Sequence, residues 1–230
     1  MPIEIKTLKI FYENAALVDV SFSIDGALGI VGRSGSGKSL TLKALLNLLP
    51  SKMSAEIEIS SPFALERGKT VAYIPQNPFT ALSPMSRVKD QFFTPKIAAK
   101  RLLERVCLET TALDRFPAEL SGGQLQRAII AIALASNPRL LLLDEPTTAL
   151  DSKNKEAVLE ILSEIKSAGV SIIFVSHDIK SVSAVCDHIA VIDTGRVVEA
   201  GGKEAILHGA KAALTRELIS SDFTNREFRS

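Results

Sequence analysis

The sequence predicts an α/β fold with a mainly parallel sheet, flanking helices, an antiparallel β subdomain and an inserted α-helical subdomain. Three patterns lead to this fold class: short apolar runs that alternate with amphipathic helical stretches, strict polar/apolar alternation near the N-terminus, and helix-like periodicity over residues 77–137. With 230 residues, the chain has the length of one large domain that buries a sizeable core. We therefore treat residues 1–230 as one domain with the helical subdomain inserted at 77–137.

The antiparallel part is predicted at the N-terminus. Residues 18–24 alternate between apolar and polar side chains, the period of a half-buried strand, and a turn follows at Asp25-Gly26. We expect residues 3–10 to form a strand that pairs with this one. The further predicted strands span residues 27–31, 55–59, 70–74, 140–144, 170–175 and 189–193.

The parallel part is predicted from the strands at 140–144 and 170–175, which an amphipathic stretch joins. One face of that stretch carries the apolar residues Val158, Ile161, Leu162 and Ile165. Between residues 77 and 137 the periodicity is helical, and several prolines punctuate it without a convincing strand. After Gly201 we expect two short helical segments.

Composition excludes several classes of function. The 27 Lys and Arg residues balance 26 Asp and Glu residues, so there is no large basic field for nucleic acid, and no nucleic-acid partner is expected. Cys107 and Cys186 are far apart, which argues against a disulfide framework or a zinc site and predicts two buried thiols in a reducing compartment. The N-terminus has no leader-like pattern and no apolar run has the length of a membrane span, so a cytosolic chain is expected unless it docks on a partner.

Residues 32–39, Gly-Arg-Ser-Gly-Ser-Gly-Lys-Ser, match the phosphate-binding pattern GxxxxGK[ST] between a predicted strand and an amphipathic stretch at 40–49. We call this segment the phosphate loop. Its glycines let backbone N–H groups turn towards phosphates at a helix N-terminus, Lys38 reaches the β- and γ-phosphates, and Ser39 is the expected Mg²⁺ ligand. A plain linker has no reason to place Lys-Ser beside the last glycine. The predicted nucleotide contacts of this P-loop NTPase core are Gly32, Arg33, Ser34, Gly35, Ser36, Gly37, Lys38, Ser39 and Leu40.

Two carboxylates end the apolar run at 140–143, the arrangement by which a buried central strand presents acids at its C-terminal end. In such a site Asp144 would hold Mg²⁺ directly or through water, and Glu145 would polarise the attacking water. Asp-Glu after an apolar run is by itself typical of an ordinary strand end. The phosphate loop upstream favours the catalytic interpretation.

The segment Leu-Ser-Gly-Gly-Gln-Leu-Gln-Arg at 120–127 precedes a helical run. Ser121 is predicted to cap that helix, and Gly122 and Gly123 expose backbone N–H groups at its positive end. With this segment the chain resembles the nucleotide-binding subunits of ABC transporters, whose signature reads LSGGQ, and we call 120–127 the signature segment. The resemblance implies a head-to-tail dimer, in which Ser121, Gly122, Gly123 and Gln124 close over ATP held by the other subunit.

Further matches occur in the order of that family. Gln76 resembles the glutamine that touches Mg²⁺ or the attacking water, Asp151 in Ala-Leu-Asp resembles the D-loop, and His177 resembles the histidine that contacts the γ-phosphate. The aromatic residue that stacks on adenine is Phe11 or Tyr12, with Phe11 favoured, and a core role is open for either.

Within the family, three stretches resemble the oligopeptide, dipeptide and nickel importer branch, namely residues 38–41, 74–78 and 211–218. Larger peptide-importer members continue beyond this C-terminus and often carry a cysteine cluster there, so the short form resembles the nickel-importer subunits more. The resemblance implies MgATP, a second and non-identical ATPase subunit, two membrane permease subunits and, indirectly, a solute-binding protein. The implied location is the cytoplasmic face of the inner (plasma) membrane, as a peripheral subunit.

Two other functions fit the motifs. One is a separate ATPase subunit of an exporter, against which only the branch resemblance argues. The other is a soluble ABC-type ATPase of DNA repair or translation. Its DNA-repair members insert long coiled coils before the signature and its translation members carry two cassettes, and neither feature occurs in this sequence.

Overall fold

The computed structural model describes residues 2–224; residue 1 and residues 225–230 of the predicted domain lie outside the described part. The strands are β1 (Ile3–Tyr12), β2 (Ala15–Ile24), β3 (Ala27–Val31), β4 (Met53–Ser60), β5 (Val71–Ile74), β6 (Leu140–Asp144), β7 (Ser171–Ser176), β8 (His188–Asp193) and β9 (Arg196–Gly202). The α-helices are α1 (Lys38–Leu45), α2 (Lys96–Arg105), α3 (Gly122–Leu134), α4 (Ser152–Ser167), α5 (Ile179–Val185), α6 (Lys203–Gly209) and α7 (Ala213–Thr224). Short 3₁₀ helices lie at Pro78–Thr80, Val88–Gln91, Thr110–Asp114 and Pro117–Glu119.

The chain divides into two compact units. The first unit comprises the described residues up to Ala64 and those from Ser171 onwards, and the second comprises Leu65–Val170. Each unit carries some of the predicted site residues.

In the first unit the strands lie in the order β4-β1-β2-β9-β8-β3-β7. β1 pairs antiparallel with both β2 and β4, as its alternation of buried and exposed residues requires. β3 pairs in parallel with β7 and β8 and is buried at every residue, which is typical of a central strand covered on both faces. The mainly parallel core and the antiparallel part predicted from the sequence are therefore both present.

Gly29 lets α5 pack closely on the middle of β3. A Cβ at Gly29 would lie 1.9 Å from Val182 Cγ1 on that helix. We expect Gly29→Ala to lower the free energy of unfolding by about 1–3 kcal/mol, the usual cost of overpacking a core. Urea unfolding measures the change. Gly209→Ala is the matched control, because nothing in the described part of the chain lies within 4 Å of the added carbon. An equal loss in both variants would contradict the packing account.

In the second unit, β5 and β6 form a parallel pair in which Val71 lies opposite Leu140 and Ile74 opposite Leu143. The described elements between β5 and β6 are all helical. Both α2 and α3 carry buried apolar side chains. α4 buries the face formed by Val158, Ile161, Leu162 and Ile165, as its periodicity predicts. The bounds 77–137 for an inserted subdomain stay a prediction.

Three sequence expectations need correction. β9 was not predicted, although it pairs antiparallel with β8 through a tight turn at Thr194 and Gly195, both with positive φ. α1 ends at Leu45 rather than near residue 49, because Asn47 adopts a left-handed conformation with a φ of 54°. Cys186 is buried as expected, but Cys107 is exposed, since it follows the end of α2 with a φ of 53°.

Across residues 2–224, no helix combines the length and the apolar character that a bilayer crossing requires.

Candidate functional site

The phosphate loop joins β3 to α1, and close backbone packing fixes its first glycine. A Cβ at Gly32 would lie 2.1 Å from the carbonyl oxygen of Ile192, so only glycine fits there. Gly37 has a φ of 100° and precedes α1 without a side-chain cap. The N-terminus of α1 therefore has no side-chain cap, and an uncapped helix N-terminus after a glycine loop is the arrangement that binds phosphate.

Lys38 is wrapped by the loop that precedes it. Its Nζ donates to the carbonyl oxygens of Gly32 and Arg33, both at 2.8 Å, and the residue is only 5% exposed. An ammonium group is thus held in a buried position within the loop. A buried cation favours an anionic partner, because burial removes the water that would otherwise solvate it.

Ser36 provides an independent indication of a ligand. Its residue is buried, and Oγ has no hydrogen-bond partner among the residues that the structure describes. The backbone beside it is fixed, since Gly195 N donates to Ser36 O at 3.0 Å. A buried hydroxyl without a partner is costly, so this position fits a bound acceptor such as a phosphate oxygen.

The remaining loop residues lie at the surface. Arg33, Ser34 and Gly35 are exposed, and Ser39 and Leu40 are half-buried in the first turn of α1. Arg33 forms an ion pair with Glu217 of α7. Because both side chains are more than half exposed, this pair adds little to stability.

The predicted adenine-stacking residues end β1. Phe11 is half-buried and Tyr12 is exposed. A ring that is partly covered by protein and partly open is able to stack on a base, so exposure does not separate the two candidates. The choice between Phe11 and Tyr12 stays a prediction.

His177 follows β7 in the first unit and is exposed. The backbone on either side of it is fixed by hydrogen bonds: Asp178 N donates to Ser176 Oγ at 3.0 Å, and Asp178 caps α5 by accepting from Ser181 N. The imidazole is therefore presented at the C-terminal end of a buried strand, on a short and well-fixed loop.

In the second unit, Asp144 ends β6 and is only 2% exposed. The hydroxyl of Tyr73, on the neighbouring β5, donates to Asp144 Oδ2 at 3.1 Å. Burial, followed by the nearby Asp144 carboxylate, raises the pKa of Tyr73 well above its usual range. Tyr73 thus stays a proton donor at neutral pH and helps to orient the carboxylate. Sequence reasoning did not find this contact.

Glu145 lies in a left-handed backbone conformation with a φ of 48°. Two donors reach its Oε2: Thr148 Oγ1 at 2.8 Å and Gln76 Nε2 at 3.4 Å. The structure therefore brings together two of the predicted catalytic residues, Gln76 and Glu145. Thr148 was missed, although its position three residues after Glu145 suits a turn contact.

The signature segment begins α3 as predicted, with Ser121 as its N-cap. Ser121 Oγ accepts from Gln124 N at 3.3 Å, and Gln124 Oε1 accepts from Ser121 N at 3.1 Å, which completes a reciprocal capping box. Among residues 2–224, nothing lies within 4 Å of a Cβ added at Gly122. This turn is therefore rigid and open at Gly122.

Comparison with known proteins decides the family. A profile described as "ABC transporter" matches residues 17–148, which is more than half of the chain. The chain belongs to the ABC transporter family. The match covers the phosphate loop, the signature segment and the Asp144-Glu145 pair.

Two relatives and one solved structure narrow the assignment within the family. The ABC chain is 34% identical to the oligopeptide transport ATP-binding protein OppD of Bacillus subtilis (strain 168), covering 95% of this chain and 71% of OppD. It is also 34% identical to the metal-staphylopine import system ATP-binding protein CntD of Staphylococcus aureus (strain NCTC 8325 / PS 47), covering 88% of this chain and 85% of CntD. The dimeric post-hydrolysis structure of the ATP-binding cassette MJ0796 bound to ADP and Pi matches with a TM-score of 0.73 and 26% identity, over 88% of this chain and 99% of that one.

These comparisons confirm the fold class and the resemblance inferred from the sequence. The chain is an ATP-binding ABC ATPase of the branch that contains OppD and CntD.

Proposed function

We propose that this ABC ATPase binds and hydrolyses MgATP to energise the import of a small solute through membrane permease subunits. The observation that supports it most is the phosphate loop, where a buried Lys38 ammonium, an unpartnered Ser36 hydroxyl and an uncapped helix N-terminus all suit a polyphosphate. In this proposal Lys38 binds the β- and γ-phosphates. Phe11, with Tyr12 as the alternative, stacks on adenine.

Mg²⁺ fits the donors that this proposal assigns to it. Ser39 offers a hydroxyl, Gln76 an amide oxygen and Asp144 a carboxylate, and hard oxygen donors are the ligands that Mg²⁺ prefers. Asp144 is buried and oriented by Tyr73, so its carboxylate is preorganised for a cation. When bound, the metal neutralises charge on the β- and γ-phosphate oxygens.

Glu145 is the proposed general base, and Gln76 and His177 are the other proposed catalytic residues. The carboxylate is held by two donors and lies in a strained backbone conformation, which fixes its direction. Gln76 orients the attacking water beside this carboxylate, and His177 contacts the γ-phosphate. The proton of the water passes to Glu145 as oxygen attacks phosphorus and the β–γ bridge bond breaks.

The signature segment acts on a nucleotide held by a second subunit. Ser121 and the backbone of Gly122 and Gly123 supply hydroxyl and N–H donors at a positive helix end. Gln124 joins them through its amide NH₂, since its Oε1 serves the capping box. The dimeric arrangement of MJ0796 supports an association of this kind.

We infer a peripheral location on the cytoplasmic face of the plasma membrane, beside two permease subunits and a second, non-identical ATPase subunit. In isolation, two copies of this chain are expected to form the same head-to-tail dimer, and the experiments use that dimer. The segment 77–137 supports a large protein partner, because it exposes several big apolar side chains, up to 97% at Phe93. The others are Phe79, Met85 and Ile97. A solute-binding protein would supply cargo from the other side of the membrane.

A mixing experiment tests the head-to-tail arrangement. Gly122→Ala should spare MgATP binding by the monomer but abolish ATP-driven association, because the added carbon meets none of the residues that the structure describes and acts on a partner. Mixed with a Lys38→Ala chain, it should recover partial ATPase activity, since one composite site of the mixed dimer is intact. Activity is measured by phosphate release. Activity of the mixture equal to that of either parent would count against the arrangement.

The cargo is proposed to be nickel or a nickel chelate, ahead of short peptides. The relatives support a cargo that is either a short peptide or a metal chelate, since OppD is named for oligopeptides and CntD for metal-staphylopine. Deleting the gene should reduce uptake of labelled nickel more than that of a labelled dipeptide, and a plasmid copy should restore it. Normal uptake of both would remove this cargo, and a defect in export or DNA repair instead would remove the importer proposal.

A further inference from the structure

The side chain of Asn154, near the start of α4, lies against Gly123 in the first turn of the signature helix α3. A Cβ at Gly123 would lie 2.2 Å from Asn154 Oδ1, 2.3 Å from its Cγ and 2.8 Å from its Cβ. Real carbon atoms do not approach so closely, so the carboxamide of Asn154 occupies the space that any side chain at Gly123 would need. The second glycine of the signature is thus the contact surface for α4.

The same carboxamide is fixed on its other side by Asp151. Asn154 Nδ2 donates to Asp151 Oδ2 at 2.7 Å, and Asn154 N donates to Asp151 Oδ1 at 2.9 Å. These hydrogen bonds, the backbone one first, hold the pKa of Asp151 below its usual range, so the carboxylate is charged at neutral pH. Both oxygens of Asp151 therefore accept from one residue, and the carboxamide of Asn154 cannot turn away without losing its hydrogen bond to Asp151 Oδ2.

Gly123 is also held through its carbonyl oxygen, by Arg127. Arg127 Nε donates to Gly123 O at 3.2 Å, and its NH1 group donates to Cys107 O at 2.6 Å. The turn at 121–123 is also closed by the capping box of Ser121 and Gln124. A rigid turn on α3 thus packs against a rigid cap on α4, and the Asn154 carboxamide is the group between them.

We propose that Asn154 is a positioning residue that joins the signature turn to Asp151, so that both segments form one rigid surface towards the partner subunit's nucleotide. The inference rests on the proposed function, because it requires the signature to act across a dimer. Its physical basis is preorganisation: donors fixed before association lose less freedom when the dimer closes. Asn154 itself touches no reacting group in this proposal.

Two variants separate the hydrogen bond from the shape. Asn154→Asp keeps the size of the side chain but loses the Nδ2 donor and places a second carboxylate beside Asp151, whereas Asn154→Ala removes the whole carboxamide. Both are made in a Glu145→Gln background, and ATP-driven association is measured by sedimentation. We expect the dissociation constant of the dimer to rise about tenfold in both, since the signature turn and Asp151 are then no longer held together before association and lose more freedom when the dimer closes. Glu160→Ala, at an exposed position further along α4, is the control that should stay within about twofold.

Two properties of the monomer, its MgATP affinity and its melting temperature, would change if Asn154 had a purely structural role. We expect the MgATP affinity and the melting temperature of both Asn154 variants to match those of the Glu145→Gln parent. A parallel fall of melting temperature, MgATP affinity and association would overturn the inference in favour of a folding role. If both variants dimerise as tightly as the parent, the inference is overturned while the proposed function stands. If the Glu145→Gln parent does not dimerise when ATP is added, the proposed function and the inference are overturned together.

A double-mutant cycle tests the contact itself. Gly123→Ala should weaken association, because its Cβ drives Asn154 away from Asp151. In an Asn154→Gly background the obstructing atoms are gone, so the same substitution should cost clearly less than it does alone. Equal costs in the two backgrounds would show that Gly123 and Asn154 do not act as one unit and would overturn the inference.

Discussion

Glu145→Gln is expected to slow ATP hydrolysis at least about 10²-fold while leaving MgATP binding intact. The amide keeps the shape of the side chain and its contact with Thr148 Oγ1, but it is no base and cannot take the proton of water. Since hydrolysis is blocked after binding, the nucleotide-bound dimer should accumulate. Phosphate release measures the rate, calorimetry the MgATP affinity and gel filtration the dimer.

The control for this variant is Glu156→Gln, which makes the same chemical change at an exposed position of α4. It should hydrolyse ATP at the rate of the unmodified chain. Turnover of Glu145→Gln near that rate would contradict its role as base, and Asp144 or His177 would then be tested as the group that positions water.

Lys38→Ala is expected to remove most nucleotide binding. The ammonium is held by two carbonyl oxygens inside the phosphate loop. Arg33, the other basic residue of the loop, is exposed and paired with Glu217, so it does not replace a compact charge aimed at the phosphates. Fluorescent-nucleotide titration measures the loss.

Lys43→Ala, on the same helix, is the matched control and should bind MgATP normally. The melting temperature of Lys38→Ala shows whether the fold has survived the loss of its loop contacts. MgATP affinity unchanged by Lys38→Ala would contradict the assignment of residues 32–39 as the phosphate loop.

Local patterns predicted the parts of the site that local chemistry determines. The phosphate loop follows from the spacing of glycines before Lys38, and the cap at Ser121 follows from the Ser-Gly-Gly-Gln order, because an N-cap bond spans only three residues. The buried strand before Asp144 follows from four leucines in sequence.

Contacts between distant residues were not predictable in this way. Tyr73 bonds Asp144 across 71 positions and Gln76 reaches Glu145 across 69, and no periodicity encodes such pairs. β9 was missed because two glycines end it and few large apolar residues mark it. Its positive-φ turn at Thr194 and Gly195 was the local indication of a hairpin.

The dependence of ATPase activity on protein concentration tests most directly whether two subunits complete one site. Phosphate release is measured over a dilution series of the unmodified chain, with the mass of the species followed by light scattering. The account predicts that activity per subunit rises with concentration and follows the fraction of dimer, because the signature segment of one subunit acts on the nucleotide of the other. Constant activity per subunit from a species that remains monomeric throughout would contradict it.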